Sequence, residues 1–189
     1  MNIANKLTLL RVALVPVMLV FLLAEGIPGR WLFALLVFSA ASITDTLDGW
    51  LARKHGMITD FGKFLDPLAD KVLVIAALVC FVELNLVSSI VVVIIIAREF
   101  MVTSLRLVAS SGSGKVIAAA FLGKLKTVSQ MVGIIAILAM RALAEFSLLP
   151  AAFPEALVGQ VLMWIAAGLT VLSGAQYLWE YRSVINTTK

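Results

Sequence analysis

Long apolar runs without a charged residue follow one another along the chain. The longest, at 156–179, has 24 residues, and five runs of 11 to 14 residues precede it. A bilayer needs about 20 consecutive apolar residues, so only the longest run suffices alone. The shorter runs have Arg, Lys or Asp at one end, which is typical of membrane spans with one polar end. No run alternates strictly between apolar and polar residues, and lipid requires internally satisfied backbone hydrogen bonds, so the spans are predicted to be helices.

The pattern therefore predicts an all-α integral membrane protein with six transmembrane helices. The predicted spans are 7–25, 31–55, 59–83, 86–110, 117–142 and 156–180. Composition agrees, because 62% of the residues are hydrophobic, 14% are charged and the mean hydropathy is +1.07. Soluble domains are roughly half apolar and about a quarter charged. The length suits a single membrane domain, residues 1–189.

Charge is distributed unequally between the two predicted sides of the membrane. Six spans put both chain ends on one side, where most basic residues lie: Lys6, Arg11, Arg53, Lys54, Lys63, Arg106, Lys115, Lys124, Lys126, Arg182 and Lys189. The opposite side has Arg30 and Arg141 with four glutamates. The excess of Lys and Arg predicts that the first side is cytoplasmic. Trp31, Trp50 and Trp179 fall near span ends, as an aromatic belt would.

All five aspartates of the chain lie between residues 45 and 70. Asp45 and Asp48 are three residues apart near the predicted cytoplasmic end of span two. Asp66 and Asp70 are four apart at the start of span three, so each pair shares a helical face. Acidic residues inside a membrane are costly and usually functional. Oxygen-only ligation suits Mg²⁺, Mn²⁺ or Ca²⁺, and two metals sharing four carboxylates are typical of phosphoryl transfer.

A simpler interpretation is that these aspartates lie in interfacial loops and pair with nearby basic residues: Arg53, Lys54, Lys63 and Lys71. Asp60 fits that interpretation, since it breaks the spacing and is expected to be a solvated cap of span three. The other four match two helical faces interleaved with Gly and Ala, which favours a functional site.

The same residues carry a resemblance to a known family. The segment from 45 to 70 has the pattern D-x₂-D-G-x₂-A-R-x₈-G-x₃-D-x₃-D, formed by Asp45, Asp48, Gly49, Ala52, Arg53, Gly62, Asp66 and Asp70. This pattern is the signature of the CDP-alcohol phosphatidyltransferases, and none of its positions is missing. The segments 5–11, 60–71, 97–106 and 123–127 also resemble bacterial members that make phosphatidylglycerol phosphate.

The resemblance implies six transmembrane helices, a short amphipathic N-terminal segment and a homodimer in the bacterial cytoplasmic (inner) membrane. It implies two divalent ions, Mg²⁺ or Mn²⁺, held by the four motif aspartates, with Asp70 also acting as general base. It implies transfer of the phosphatidyl group from CDP-diacylglycerol to glycerol 3-phosphate. Membrane lipids are expected partners, and nucleic acid is not.

Family resemblance also suggests residues that bind the two substrates. For CDP-diacylglycerol these are Asn5, Thr8, Gly49, Arg53 and Thr59. For the phosphate of glycerol 3-phosphate they are Arg98, Arg106, Lys124 and Lys126. Helix capping is the alternative for Asn5 and Thr8, and interfacial anchoring is the alternative for the basic residues.

Helical spacing refines this basic set. Arg98 and Arg106 are eight apart and share a face, whereas Lys124 and Lys126, two apart, lie on opposite faces of span five. Glu99 is beside Arg98 and is a possible structural partner.

Three other functions compete with this interpretation. A related enzyme would use inositol phosphate, serine or phosphatidylglycerol as acceptor, which the aspartate motif does not discriminate. A divalent-cation transporter would need acids near the membrane midplane, whereas these crowd one end. A membrane prenyltransferase usually has two separate acidic motifs, and this chain has one.

Overall fold

The computed structural model describes residues 3–55, 60–112, 121–150, 152–180 and 182. Side chains are described at 7–44, 69, 71–106, 121–150, 152–180 and 182. These parts of the chain contain helices and turns but no strand. The helices are α1 (Ile3–Leu23), α2 (Arg30–His55), α3 (Asp60–Glu83), α4 (Ser89–Gly112), α5 (Phe121–Glu145) and α6 (Glu155–Glu180). The prediction of an all-helical chain is confirmed for the described residues.

Helix boundaries differ from the predicted spans where local capping decides them. α4 begins at Ser89 rather than 86 because Asn85 has a positive φ of 57° and the Ser88 hydroxyl accepts a hydrogen bond from the Ile90 amide. Such side-chain capping satisfies an amide that would otherwise have no partner at a helix start. α1 begins at Ile3 and runs without a break to Leu23. The expected amphipathic N-terminal segment is therefore the first part of α1 from Ile3 onward, not a separate helix.

The chain divides into two compact units. Unit one is Met1–Leu84 with Ile134–Glu155, and unit two is Asn85–Gly133 with Ala156–Lys189. In unit one, α1 packs against both α2 and α3, and α2 also contacts α3. The fully buried Met18, Phe38 and Leu73 contribute to its core.

Unit two contains α4, α6 from Ala156 onward and the part of α5 up to Gly133. Val91, Ile95 and Met163 are buried in it. A Cβ atom at Gly133 would lie 2.8 Å from Sδ of Met163, so the helix backbone there leaves no room for a larger residue unless Met163 moves. Close approach through small residues is typical of helices that pack in membranes.

Large apolar side chains are exposed on each of the six helices, for example Val20, Leu36, Val79, Val93, Val132 and Leu172. Two helices, α5 and α6, are each long and apolar enough to cross a membrane, and only 33% of the most apolar stretch of each is buried. The core helix of a soluble protein would be mostly buried. Shorter apolar helical stretches are Leu7–Leu23 and Arg30–Thr44.

Candidate active site

The two motif pairs of aspartates lie on neighbouring helices of unit one. Asp45 and Asp48 are in α2, and Asp66 and Asp70 are in α3. Only four residues separate the helices, which favours an antiparallel pair. Asp45 is ten residues before the end of α2 and Asp70 ten after the start of α3, so both stand about 15 Å from the connection at 1.5 Å per residue. Asp48 and Asp66 likewise match at about 10 Å.

The first turns of α1 reach the same height. Thr8 lies fifteen residues before the end of α1, and Asp45 lies fifteen after the start of α2, about 22 Å in each case. A hydrogen bond of 3.3 Å from Arg11 Nε to the Ala41 carbonyl fixes this antiparallel pairing. Asn5 is at the height of Asp48 by the same count. Helices α1 to α3 therefore bring Asn5 and Thr8 to the level of the aspartates.

Several of these candidates are described only by their position in a helix. The side chains of Asn5, Arg53 and the four motif aspartates lie outside the described side chains, and Thr59 lies outside the described residues. Gly49 is in α2 beside Asp48. Thr8 is completely buried, which is unlike an exposed helix cap.

Arg11 was not among the predicted site residues, yet it is the largest fully buried side chain in the described part of the chain. Arg11 donates a hydrogen bond to the carbonyl of Ala41, which lies about one turn of α2 before Asp45. The sequence signal was the three-residue spacing of Asn5, Thr8 and Arg11, which puts all three on one face of α1.

In unit two, Arg98 of α4 is held against α6. Its Nη2 donates to Ser173 Oγ at 2.6 Å, and its guanidinium lies 5.5 Å from the centre of the Tyr177 ring. A Cβ atom at Gly174 would be 3.1 Å from Cγ of Arg98, so a residue without a side chain lets the arginine stem lie directly on α6. Arg98 is 8% exposed, which is little for a charged residue.

Arg106 reaches the same tyrosine from two turns further along α4. Its Nη2 donates to the Tyr177 hydroxyl, and its guanidinium carbon is 5.0 Å from the ring centre. The predicted shared face of Arg98 and Arg106 is thus occupied by one buried aromatic residue of α6, which favours cations through its ring.

Lys126 and Lys124 have different surroundings. Lys126 is buried, and its ammonium forms an ion pair with Glu99 Oε1, which also lies 3.3 Å from Arg98 Nη1. Lys124 is exposed. The structure therefore brings Arg98, Arg106 and Lys126 together around Glu99 and Tyr177 and leaves Lys124 outside this group, as the helical spacing predicts for one of the two lysines.

Sequence reasoning missed the α6 contribution to this cluster. Ser173, Gly174 and Tyr177 fall in the longest uncharged run, which indicated only a membrane span. A signal was present, because Thr170, Ser173 and Tyr177 recur at helical spacing and are all buried.

The two groups of residues suit different chemistry. The four aspartates stand at matched heights in adjacent helices, and carboxylate oxygens are the ligands that hard divalent ions prefer. The cluster in unit two has three cations and one carboxylate among its described members, so its charge favours an anion such as phosphate. Guanidinium groups match phosphate oxygens in geometry as well as charge.

Comparisons with known proteins show the family of this chain. The family model for CDP-alcohol phosphatidyltransferase matches residues 1–172. The chain is 44% identical to the CDP-diacylglycerol–glycerol-3-phosphate 3-phosphatidyltransferase of Bacillus subtilis (strain 168), over 96% of this chain and 94% of that protein. It is 37% identical to the protein of the same name from Rickettsia bellii (strain RML369-C), over 93% of each chain. It is 40% identical to a probable phosphatidylglycerophosphate synthase of Mycobacterium tuberculosis (strain ATCC 25618 / H37Rv), over 94% of this chain and 80% of that protein.

A match over most of its length, with every position of the aspartate signature present, identifies this chain as a member of the CDP-alcohol phosphatidyltransferase family.

Proposed function

We propose that this protein transfers the phosphatidyl group of CDP-diacylglycerol to sn-glycerol 3-phosphate, releasing phosphatidylglycerol phosphate and CMP. Support comes from relatives of similar length whose names state this reaction. The reaction is therefore proposed from similarity to these relatives. The roles of individual residues in it are proposed from the sequence and structure of this chain.

The observation that favours an acceptor with a phosphate group is the cation cluster of unit two. Arg98, Arg106 and Lys126 surround a single glutamate and a single tyrosine. A phosphomonoester of glycerol carries the charge that would balance this excess. An uncharged acceptor such as glycerol would bring no negative charge to offset the excess of cations among the described members of this cluster.

The nucleotide lipid is proposed to bind at the aspartate end of unit one. Asn5, Thr8, Gly49, Arg53 and Thr59 would contact its cytidine diphosphate, as the family pattern implies. We propose that Asp45, Asp48, Asp66 and Asp70 hold two divalent ions, Mg²⁺ or Mn²⁺. When bound, such ions would neutralise the pyrophosphate and improve CMP as a leaving group.

Asp70 is proposed to act as the general base. Its carboxylate would accept the proton of the 1-hydroxyl of glycerol 3-phosphate, and the resulting oxygen would attack the phosphorus attached to diacylglycerol. The bond from that phosphorus to the CMP oxygen breaks as the new ester bond forms. The cation cluster would bind the phosphate of glycerol 3-phosphate through charge-assisted hydrogen bonds.

The proposal includes a membrane arrangement. Six spans would cross the bacterial cytoplasmic membrane, with both chain ends and the aspartates facing the cytoplasm, as the distribution of Lys and Arg predicts. Two copies would associate as a homodimer, as the family resemblance implies. A lipid-soluble donor and a water-soluble acceptor meet most readily at the cytoplasmic surface of the membrane.

A panel of acceptors tests the proposed reaction. Purified protein is incubated with CDP-diacylglycerol, Mg²⁺ and either glycerol 3-phosphate, inositol phosphate, serine or phosphatidylglycerol, and CMP release is measured for each. We expect release with glycerol 3-phosphate to exceed release with the other three. If CMP release is greatest with another acceptor, the family assignment stands, but glycerol 3-phosphate is not the acceptor.

A further inference from the structure

A second group of charged residues in unit one lies far from the aspartates. Arg30 opens α2, fifteen residues before Asp45, so the two positions are about 22 Å apart along the helix. A cavity of about 370 Å³ is present beside Arg30. Its lining residues are Arg30, Trp31, Arg141, Ala144 and Glu145.

The indole of Trp31 organises this group. Trp31 was predicted to belong to an aromatic belt, yet it is only 4% exposed. The guanidinium of Arg30 lies 5.1 Å from the centre of its ring, and that of Arg141 lies 5.0 Å from it. Two cations therefore share one aromatic ring, a placement that repulsion between like charges opposes unless an anion is close.

The nearby carboxylates compensate these cations unequally. Glu155 Oε1 accepts a hydrogen bond of 2.7 Å from Arg141 Nη1. Glu145 Oε1 accepts one of 2.8 Å from the Gly29 amide instead of from an arginine. Arg30 Nη1 and Arg141 Nε are buried donors without an acceptor among the described residues. The group thus has two guanidinium groups and two carboxylates, Glu145 in the cavity lining and Glu155 beside Arg141, yet each guanidinium keeps one buried N–H without an acceptor among the described residues.

We propose that this cavity binds the phosphate group of an anionic lipid headgroup. Guanidinium groups match phosphate oxygens best among the side chains. A bound anion would also interact favourably with the start of α2, where the helix dipole is positive. Phe33 and Phe146, 45% and 50% exposed, flank the adjacent Gly29 and offer apolar surface for acyl chains. Under the proposed orientation this end of α2 faces the outer leaflet, so the site is separate from the transfer site.

Fluorescence of Trp31 provides a direct readout. Replacing the other three tryptophans, in the variant W50F/W164F/W179F, leaves Trp31 as the only indole. The purified full chain in a neutral detergent is titrated separately with short-chain phosphatidylglycerol, short-chain phosphatidylcholine and inorganic phosphate. We expect a saturable change with phosphatidylglycerol and a weaker change with phosphatidylcholine, whose headgroup carries its own cation.

Substitutions identify the groups that bind. Arg30→Gln should raise the half-saturating phosphatidylglycerol concentration at least about tenfold, the usual effect of losing a hydrogen bond to a charged group. Arg30→Lys retains the charge and should show a smaller effect, which guards against a variant that merely folds poorly. Arg182→Gln removes the same charge from an exposed arginine in unit two and should change nothing.

The comparison of ligands separates the sources of phosphate. Saturation by phosphatidylglycerol, with or without a weaker response to inorganic phosphate, supports a lipid site. Saturation by inorganic phosphate alone would overturn the lipid assignment. Equal responses to the two lipids, or an unchanged response in Arg30→Gln, would overturn the site itself. CMP release with glycerol 3-phosphate is measured in parallel, so failure here is distinguishable from failure of the proposed reaction.

Discussion

Lys126→Gln tests the assignment of the cation cluster most sharply, because the chain supplies its own control two residues away. Lys126 is buried and paired with Glu99, whereas Lys124 is exposed on the same turn of α5. Glutamine keeps a long polar side chain and removes the charge. If the cluster binds the acceptor phosphate, Lys126→Gln removes one charge-assisted contact to that substrate alone.

The expected size follows from the geometry. A hydrogen bond to a charged group contributes about 1.5–3 kcal/mol, and about 1.4 kcal/mol corresponds to tenfold, so KM for glycerol 3-phosphate should rise about 10- to 150-fold. KM for CDP-diacylglycerol should change by no more than about twofold, because the contacts proposed to bind this substrate are unchanged. Removing one partner of a buried ion pair costs about 3–5 kcal/mol of stability. Glu99 keeps its contact of 3.3 Å with Arg98, which favours the lower end of that range.

The assay is CMP release with one substrate varied and the other saturating, on wild type, Lys126→Gln and Lys124→Gln. Lys124→Gln should change each KM by no more than about twofold and stability by about 0.5 kcal/mol or less, as surface substitutions do. Thermal unfolding in the same detergent measures the stability change. A larger effect from Lys124→Gln, or an equal rise of both KM values in Lys126→Gln, would refute the assignment of Lys126 to the acceptor.

Four other outcomes are expected. Tyr177→Phe removes the oxygen that accepts from Arg106 but keeps the ring, and should raise KM for glycerol 3-phosphate about tenfold; an unchanged KM would separate Arg106 from the acceptor site. Asp70→Asn should lower kcat about 10²- to 10⁴-fold while binding of a non-reactive CDP-lipid analogue persists, and a near-normal kcat would move the base elsewhere. Excess chelator should abolish CMP release and added Mg²⁺ or Mn²⁺ restore it; full activity in chelator would contradict the two-ion proposal. A cysteine introduced at Thr59 should resist an impermeant reagent in sealed right-side-out vesicles, and ready labelling would invert the orientation.

Much of the helical architecture could be predicted from the sequence because charge-free runs mark helices that satisfy their own backbone in lipid. The run of Val and Ile at 91–96 favours a strand by intrinsic propensity, yet it is helical in α4. The helix predicted over this run is therefore confirmed against its local propensity. The predicted start of α4 was three residues too early. The actual start depends on one local contact, the capping hydrogen bond to Ser88, and the hydrophobic pattern of the run does not show such a contact.

The candidate site was predictable only where charge and spacing coincide. The aspartates and the arginines of α4 stand out in so apolar a chain. Ser173 and Tyr177 do not stand out. A hydroxyl group in an apolar run indicates a site only once its helix is known to contact Arg98 and Arg106. The burial of Trp31 was unpredictable for a related reason, since it depends on Arg141, more than 100 residues away in sequence.

One comparison tests the central claim that a cluster of cations selects the phosphate of the acceptor. Glycerol and glycerol 3-phosphate differ only in that phosphate, so purified protein is given CDP-diacylglycerol, Mg²⁺ and each of them in turn, and the lipid products are identified by mass spectrometry. We expect phosphatidylglycerol phosphate from glycerol 3-phosphate and little or no phosphatidylglycerol from glycerol. Equal use of the two acceptors, or no lipid product from glycerol 3-phosphate, would contradict it.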